Sequence, residues 1–170
     1  MNKKQAALII TKFLKNVHCC QIDLDCIPFK KILFTNHGTY NIDNLLKWSS
    51  TCIKNNKSAS YPCTREYIKP SILLIMIIRS GISYSIIKQL FSEVQHLYKE
   101  VKINPIFGSL KTFIFLHRFH LKSFVTLMIF DQINFYSKTI PKENKYIICH
   151  IFIQAMCVQH NELFLLLNFT

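Results

Sequence analysis

The chain has little of several things. Only 3 of its 170 residues are glycine, only 9 are Asp or Glu, and only 1 is Trp. No Ser-His-Asp order, Gly-rich nucleotide loop or paired-carboxylate motif stands out, so acid–base and nucleophilic chemistry have few candidates. No C-x-x-C pair occurs among the 7 cysteines, which removes the tight-turn ligand pairs from which structural zinc sites are normally built. Adjacent Cys19 and Cys20 cannot easily point at one ion, and no metal or cofactor is expected. No run reaches the roughly 18 apolar residues of a membrane span. Residues 71–78 come nearest but end at Arg79, and 106–136 is interrupted by Lys111, His117, Arg118, His120, Lys122 and Asp131. The early Ala6-Ala7-Leu8-Ile9-Ile10 run meets Lys12 and Lys15 too soon for a secretory signal. The thiols are therefore expected to be reduced, in a cytosol. No internal repeat is visible.

What the chain has instead is apolar mass and positive charge. Half of it is hydrophobic, enough to pack one or two small domains. Twenty-one Lys and Arg give a formal net charge of +12, which favours acidic partners: nucleic acid, an anionic membrane face or an acidic protein surface. Richness in Lys, Ile, Asn and Phe is also the drift of an AT-rich genome, so the charge alone is a weak guide.

Residues 1–17 form a segment of their own, an amphipathic helix with Ile10, Phe13, Leu14 and Val17 on one face. Ile22 and Leu24 then alternate with Asp23 and Asp25, Pro28 breaks the run, and Ile32-Leu33-Phe34-Thr35 reads as a strand. Asn36-His37-Gly38 is a turn. Asn41 or Asp43 can cap a helix that buries Leu45 and Trp48. Ile32, Phe34, Tyr40, Leu45 and Trp48 are the expected core, with Thr39, Asp43 and Thr64 satisfying turn amides. Residues 51–60 are polar and read as loop, and Pro62 and Pro70 bracket a second one. From residue 71 the pattern is helical over 71–79, 83–102, 107–121, 122–138 and 144–159, with breaks at Pro105 and Pro141.

Four pieces stand in order between residues 20 and 68: Cys20-Gln21-Ile22-Asp23-Leu24, Gly38-Thr39-Tyr40, Leu45-Leu46-Lys47-Trp48, and Tyr61-Pro62-Cys63-Thr64-Arg65-Glu66. Together they resemble the U-box family, the metal-free relatives of the RING finger. The first is similar to that family's C-P-I-S-L opening, the second to its G-x-T-Y turn, the third to its I-x-K-W helix and the fourth to D-P-x-T-R-x-P-L. The sequence departs from the pattern at Gln21, at Lys30-Lys31 and at Tyr67-Ile68.

The resemblance implies an α+β fold: a small metal-free U-box (RING-like) domain over 18–78 with a short hairpin and central helix, followed by an α-helical C-terminal region over 79–170. It implies an E3 ubiquitin ligase that forms no covalent intermediate of its own. Its partners would be a ubiquitin-charged E2 enzyme and an unknown protein substrate. Ile22, Leu24, Trp48 and Pro62 would bind the E2, and Arg65 would contact both E2 and ubiquitin. The odd composition resembles that of ligases that bacteria deliver into a host cytosol. In the second half, His117-Arg118-Phe119-His120 reads as a helix face. Cys149, His150, Cys157 and His160 are poorly spaced for one metal. Cys149 or Cys157 could instead carry an acyl chain for peripheral membrane attachment. The competing reading is a small basic helical protein that binds nucleic acid through a helix–Gly81–helix over 71–95, but Ser83 to Phe91 carries only Lys88 as a base. No nucleic acid is therefore expected.

Overall fold

The structure, a computed structural model, describes residues 4–5, 19–103, 127, 129–135, 137–158 and 160–168. Lys4 and Gln5 are helical. The rest of the expected N-terminal helix, the 107–121 helix and the His117-Arg118-Phe119-His120 run lie outside the described residues. The fold is α+β and divides into two compact units, Met1–Ile68 and Lys69–Thr170. The division falls between Ile68 and Lys69, before the helix that the expected 18–78 domain would have included. No described helix is long and apolar enough to cross a membrane.

In the first unit a single 3-10 turn, Phe29–Lys31, leads into strand β1 (Ile32–Thr35), which pairs antiparallel with β2 (Gly38–Asn41). The Thr35 hydroxyl fastens the turn by accepting from the His37 N–H at 3.1 Å and donating to the Gly38 carbonyl at 2.9 Å. Gly38 sits at φ +126°, and a Cβ there would overlap the side-chain amide of Gln21. Glycine is therefore required twice over, by its backbone and by its neighbour.

Helix α1 (Ile42–Lys54) follows β2 directly. The Asn41 side chain caps it by accepting from the Asp43 N–H at 3.0 Å. Asp43 is turned outward to Lys31. The helix buries Ile42, Leu45, Leu46, Ser49 and Ser50. Leu45 and Leu46 pack in a unit whose buried set also includes Ile27, Leu33, Tyr40, Ala59, Tyr61 and Ile68. Two expectations are corrected. Phe34 is 57% exposed, because Leu33 and Tyr40 form the inward pair of the hairpin and Phe34 and Thr39 the next pair, on the opposite face. The helix also runs to Lys54, so the first residues expected as loop are helical. Its end closes on backbone bonds from the amides of Asn55, Asn56 and Lys57, with Asn56 at φ +55°.

The second unit contains α2 (Pro70–Arg79), α3 (Tyr84–Ile103), helical residues 129–135, α4 (Lys142–Cys157) and α5 (Asn161–Asn168). Pro70 occupies the first position of α2, where its missing N–H has no partner to lose. Gly81, at φ +108°, turns the chain between α2 and α3. Helix α2 packs on α4, and α5 packs on α3 and α4. Phe91 meets Phe152 edge-on at 5.2 Å and Phe164 at 6.2 Å. In the segment that would have entered a DNA groove, Ile87, Leu90 and Phe91 are buried.

Gly38→Ala is expected to destabilise the first unit by about 1–3 kcal/mol, the cost of forcing a side chain into that backbone region and moving Gln21. Trp48, the chain's one tryptophan, reports on that unit in urea unfolding followed by fluorescence. An unchanged midpoint would contradict the close approach of Gln21.

Candidate functional site

The first unit contains the same loop twice. In loop 1, Cys19 bridges Cys26, the Cys20 N–H donates to the Asp25 carbonyl at 2.9 Å, and the Leu24 N–H donates to the Cys20 carbonyl at 2.7 Å. In loop 2, Ser60 bridges Tyr67, the Tyr61 N–H donates to the Glu66 carbonyl at 2.8 Å, and the Arg65 N–H donates to the Tyr61 carbonyl at 2.9 Å. The correspondence extends to side chains. Asp23 Oδ1 accepts from the Asp25 N–H, and Thr64 Oγ1 accepts from the Glu66 N–H, both at 3.4 Å. Each loop ends on a buried isoleucine, Ile27 and Ile68. The repeat is one of backbone geometry; only this polar pattern and the final isoleucine show it in the residues, which is why the sequence conceals it.

Equivalent positions of the two loops carry the same strain. Leu24 lies at φ +60° and Arg65 at φ +62°, in the left-handed region that costs a non-glycine residue on the order of 1–2 kcal/mol. Both side chains are exposed, Leu24 at 77%. Ile22 stands beside Leu24 at 37% exposure, and Pro62 is half-buried at the start of loop 2.

Helix α1 holds both loops from one face. Asn44 donates through Nδ2 to Asp23 Oδ2 and, at 3.8 Å, to the Cys20 thiol. Cys20 Sγ also accepts from the Asn41 N–H at 3.3 Å. One turn on, Trp48 Nε1 donates to the Ser60 carbonyl at 2.8 Å. The half-buried Trp48 ring has the Arg65 guanidinium 5.3 Å from its centroid. These two side chains share a cleft of about 430 Å³ lined also by Thr51, Asn55, Lys57 and Ser60, with no Asp or Glu on its wall. Of the expected site residues, the structure brings Trp48 and Arg65 into contact, and places Ile22 and Leu24 on the other loop of the same helix. Asn44, which links that loop to α1, escaped the sequence reading; its four-residue spacing from Trp48 was the available signal.

Behind loop 2 is an aromatic stack. His37 lies 4.4 Å from Tyr61, and Tyr61 lies 5.7 Å from Tyr40, whose hydroxyl donates to the His37 carbonyl at 3.0 Å. His37 Nε2 is 3.6 Å from Glu66. Burial, reinforced by the nearby Cys63 thiol, pushes the Tyr40 phenol up to about 12, and burial raises Tyr61 as well. Asp23 loses some hydration, which acts upward, but hydrogen bonds from Cys20, Asp25 and Asn44 hold it below the usual carboxylate range.

Elsewhere, Cys149, one of the two expected acylation positions, is buried, and its thiol is pushed up to about 12 by that burial. The Cys157 side chain lies outside the described residues. Among the described residues no three His, Cys, Asp or Glu side chains converge as metal ligands would.

Two measurements check this electrostatic picture. A folded-state phenol raised to about 12 means that stability is complete below pH 10 and is lost as pH rises toward 12, while the unfolded state ionises and the folded state resists. Tyr40→Phe should flatten that decline in the Trp48-monitored unfolding midpoint, and an unaltered slope would contradict it. In alkylation followed by mass spectrometry, Cys19, Cys26 and Cys63 are exposed and should react readily. Cys149 should react far more slowly than these three, because burial both shields it and raises its pKa to about 12, leaving little thiolate.

No family model, curated protein or solved structure matches this chain.

Proposed function

We propose that this protein is an E3 ubiquitin ligase of the U-box type, docking a ubiquitin-charged E2 enzyme on the two loops of its first unit. The observation that carries the reading is the pair of strained, exposed side chains, Leu24 and Arg65, at equivalent points of two loops fastened to one helix. Strain of this kind costs stability and is retained where the side chain is needed. Ile22 and Leu24 offer an apolar contact and Pro62 a rigid one. Arg65 offers a planar fork of donors suited to carbonyls on E2 and on ubiquitin together. Its stacking on Trp48 is worth about 0.5–1 kcal/mol at an exposed site. That is enough to orient the free side chain and too little to keep it from a bound partner. Holding ubiquitin against E2 would accelerate transfer by orientation, with the attacking lysine supplied by the substrate.

The helical second unit is the natural carrier of substrate or membrane contacts. If the protein is delivered by a bacterium into a host cell, as its composition resembles, the host would supply E2 and ubiquitin. The test is an assay with E1, ATP, ubiquitin and a panel of E2 enzymes, read as polyubiquitin ladders. Leu24→Gly relieves the backbone at the cost of glycine's extra unfolded-state freedom. It should leave stability unchanged or raise it by up to about 1 kcal/mol, while abolishing the ladders. Arg65→Ala should slow ubiquitin discharge about tenfold or more with E2 affinity nearly intact. No ladder with any E2, together with salt-sensitive DNA binding, would favour the nucleic-acid reading.

A further inference from the structure

Three cysteines cluster in loop 1, and the backbone sets two of them face to face. Cys19 and Cys26 are antiparallel partners in an isolated bridge, and both are exposed free thiols. The bond from the Cys20 N–H to the Asp25 carbonyl closes the bridge from inside the loop. That pattern makes Cys19 and Cys26 a non-hydrogen-bonded pair, the type whose Cα atoms approach to about 4.5 Å with side chains on one face. Loop 2 shows the same arrangement completed, with Tyr61 N–H to Glu66 and Ile68 N–H to Ala59 bracketing Ser60 and Tyr67. A disulfide spans Cα separations of about 4.4–6.8 Å, so the pair falls within reach without moving the backbone.

The third cysteine is directed elsewhere. Cys20 is buried, and its sulfur is engaged by Asn41 and Asn44. Alternation along the strand puts it on the opposite face from Cys19. At the corresponding points loop 2 has Ser60 and Tyr67, so only loop 1 can be closed in this way.

We propose that Cys19 and Cys26 form a reversible disulfide that locks the base of loop 1. The oxidant is a small-molecule disulfide of the glutathione class. One cysteine thiolate attacks it, forming a mixed disulfide and releasing one thiol. The second cysteine thiolate then attacks the protein sulfur of that mixed disulfide, forming the Cys19–Cys26 bond and releasing the second thiol. Two cysteine thiols are oxidised and one small disulfide is reduced to two thiols. Exposure lets the same exchange run backwards in a reducing buffer, the behaviour of a regulatory bond rather than a structural one. The locked loop is the one that presents Ile22 and Leu24, so on the docking reading proposed above its oxidation state would set how freely that surface adapts to a partner.

The experiment uses the full chain, incubated in buffers running from reduced glutathione alone to oxidised glutathione in excess, then trapped by alkylation and read by mass spectrometry. The tryptic peptide from Asn16 to Lys30 holds all three loop cysteines. In excess oxidised glutathione its main form is expected to carry a single alkyl group and to be lighter by about 2 Da than the singly alkylated peptide with two free thiols. Reduced glutathione should restore three alkylated cysteines. Cys20→Ser and Cys63→Ser should retain the bond, whereas Cys19→Ser and Cys26→Ser should abolish it. Stable glutathione adducts on Cys19 and Cys26 without closure, or closure persisting in Cys19→Ser through Cys20, would overturn the assignment. The readout needs no ligase activity, so failure of the disulfide and failure of the docking reading are told apart.

Discussion

Helix α1 is the part on which both loops of the first unit depend. A unit ending at Ile68 is small enough that two irregular loops cannot be held by core burial alone. Each loop is therefore tied to the helix by a side chain on the same face, Asn44 to loop 1 and Trp48 to loop 2. A hydrogen bond of this kind contributes about 1 kcal/mol net, and leaving the part-buried Trp48 Nε1 unsatisfied would cost more, whereas the Asn44–Asp23 bond is exposed. The loop 2 anchor is thus enforced chiefly by what breaking it would cost. Leu45 and Leu46, on the buried side of the helix, fix where Asn44 and Trp48 point, and so fix the spacing of the two loops.

That anchoring lets the loops carry strain. Leu24 and Arg65 occupy backbone conformations that glycine would adopt freely, in a chain with very few glycines. Each loop closes its left-handed residue with a bond back to the loop's second residue and a side-chain bond just ahead of it. The outward projection of both side chains follows from this closure. A relaxed loop would let an apolar side chain such as Leu24 fold back onto the unit.

The sequence revealed the pieces of this unit better than their connections. The hairpin, the α1 helix, the Asn41 cap and the turn at Gly38 were readable, because strand alternation, capping and turn chemistry are local. Phe34 is exposed although it shares a face with buried Ile32, because Cys20 and Ile27 cover that face at Ile32 and not at Phe34, which strand alternation does not tell. The duplicated loop left only a faint trace, in Asp23 and Thr64 and the closing Ile27 and Ile68. Its identity resides in backbone bonds that Cys20 and Tyr61, or Leu24 and Arg65, form equally well despite their different side chains. In the second unit, Pro70, Gly81 and Pro141 marked boundaries correctly, while the continuous apolar pattern of α2 and α4 could not say which helices touch.

The cysteines show most directly how side-chain chemistry is used within this unit. The Cys20 thiol is a hub of weak hydrogen bonds, accepting from Asn41 and Asn44 and helping to hold Asp23 ionised. Sulfur is a poor acceptor, yet its size fills the buried space beside Ile27 and Ile32 while still meeting two amide donors. Cys63, in loop 2, lies instead against the Tyr40 phenol and adds to the rise of its pKa. What holds this unit is therefore a set of hydrogen bonds and a core converging on α1, and the exposed thiols of loop 1 are left available for chemistry of their own.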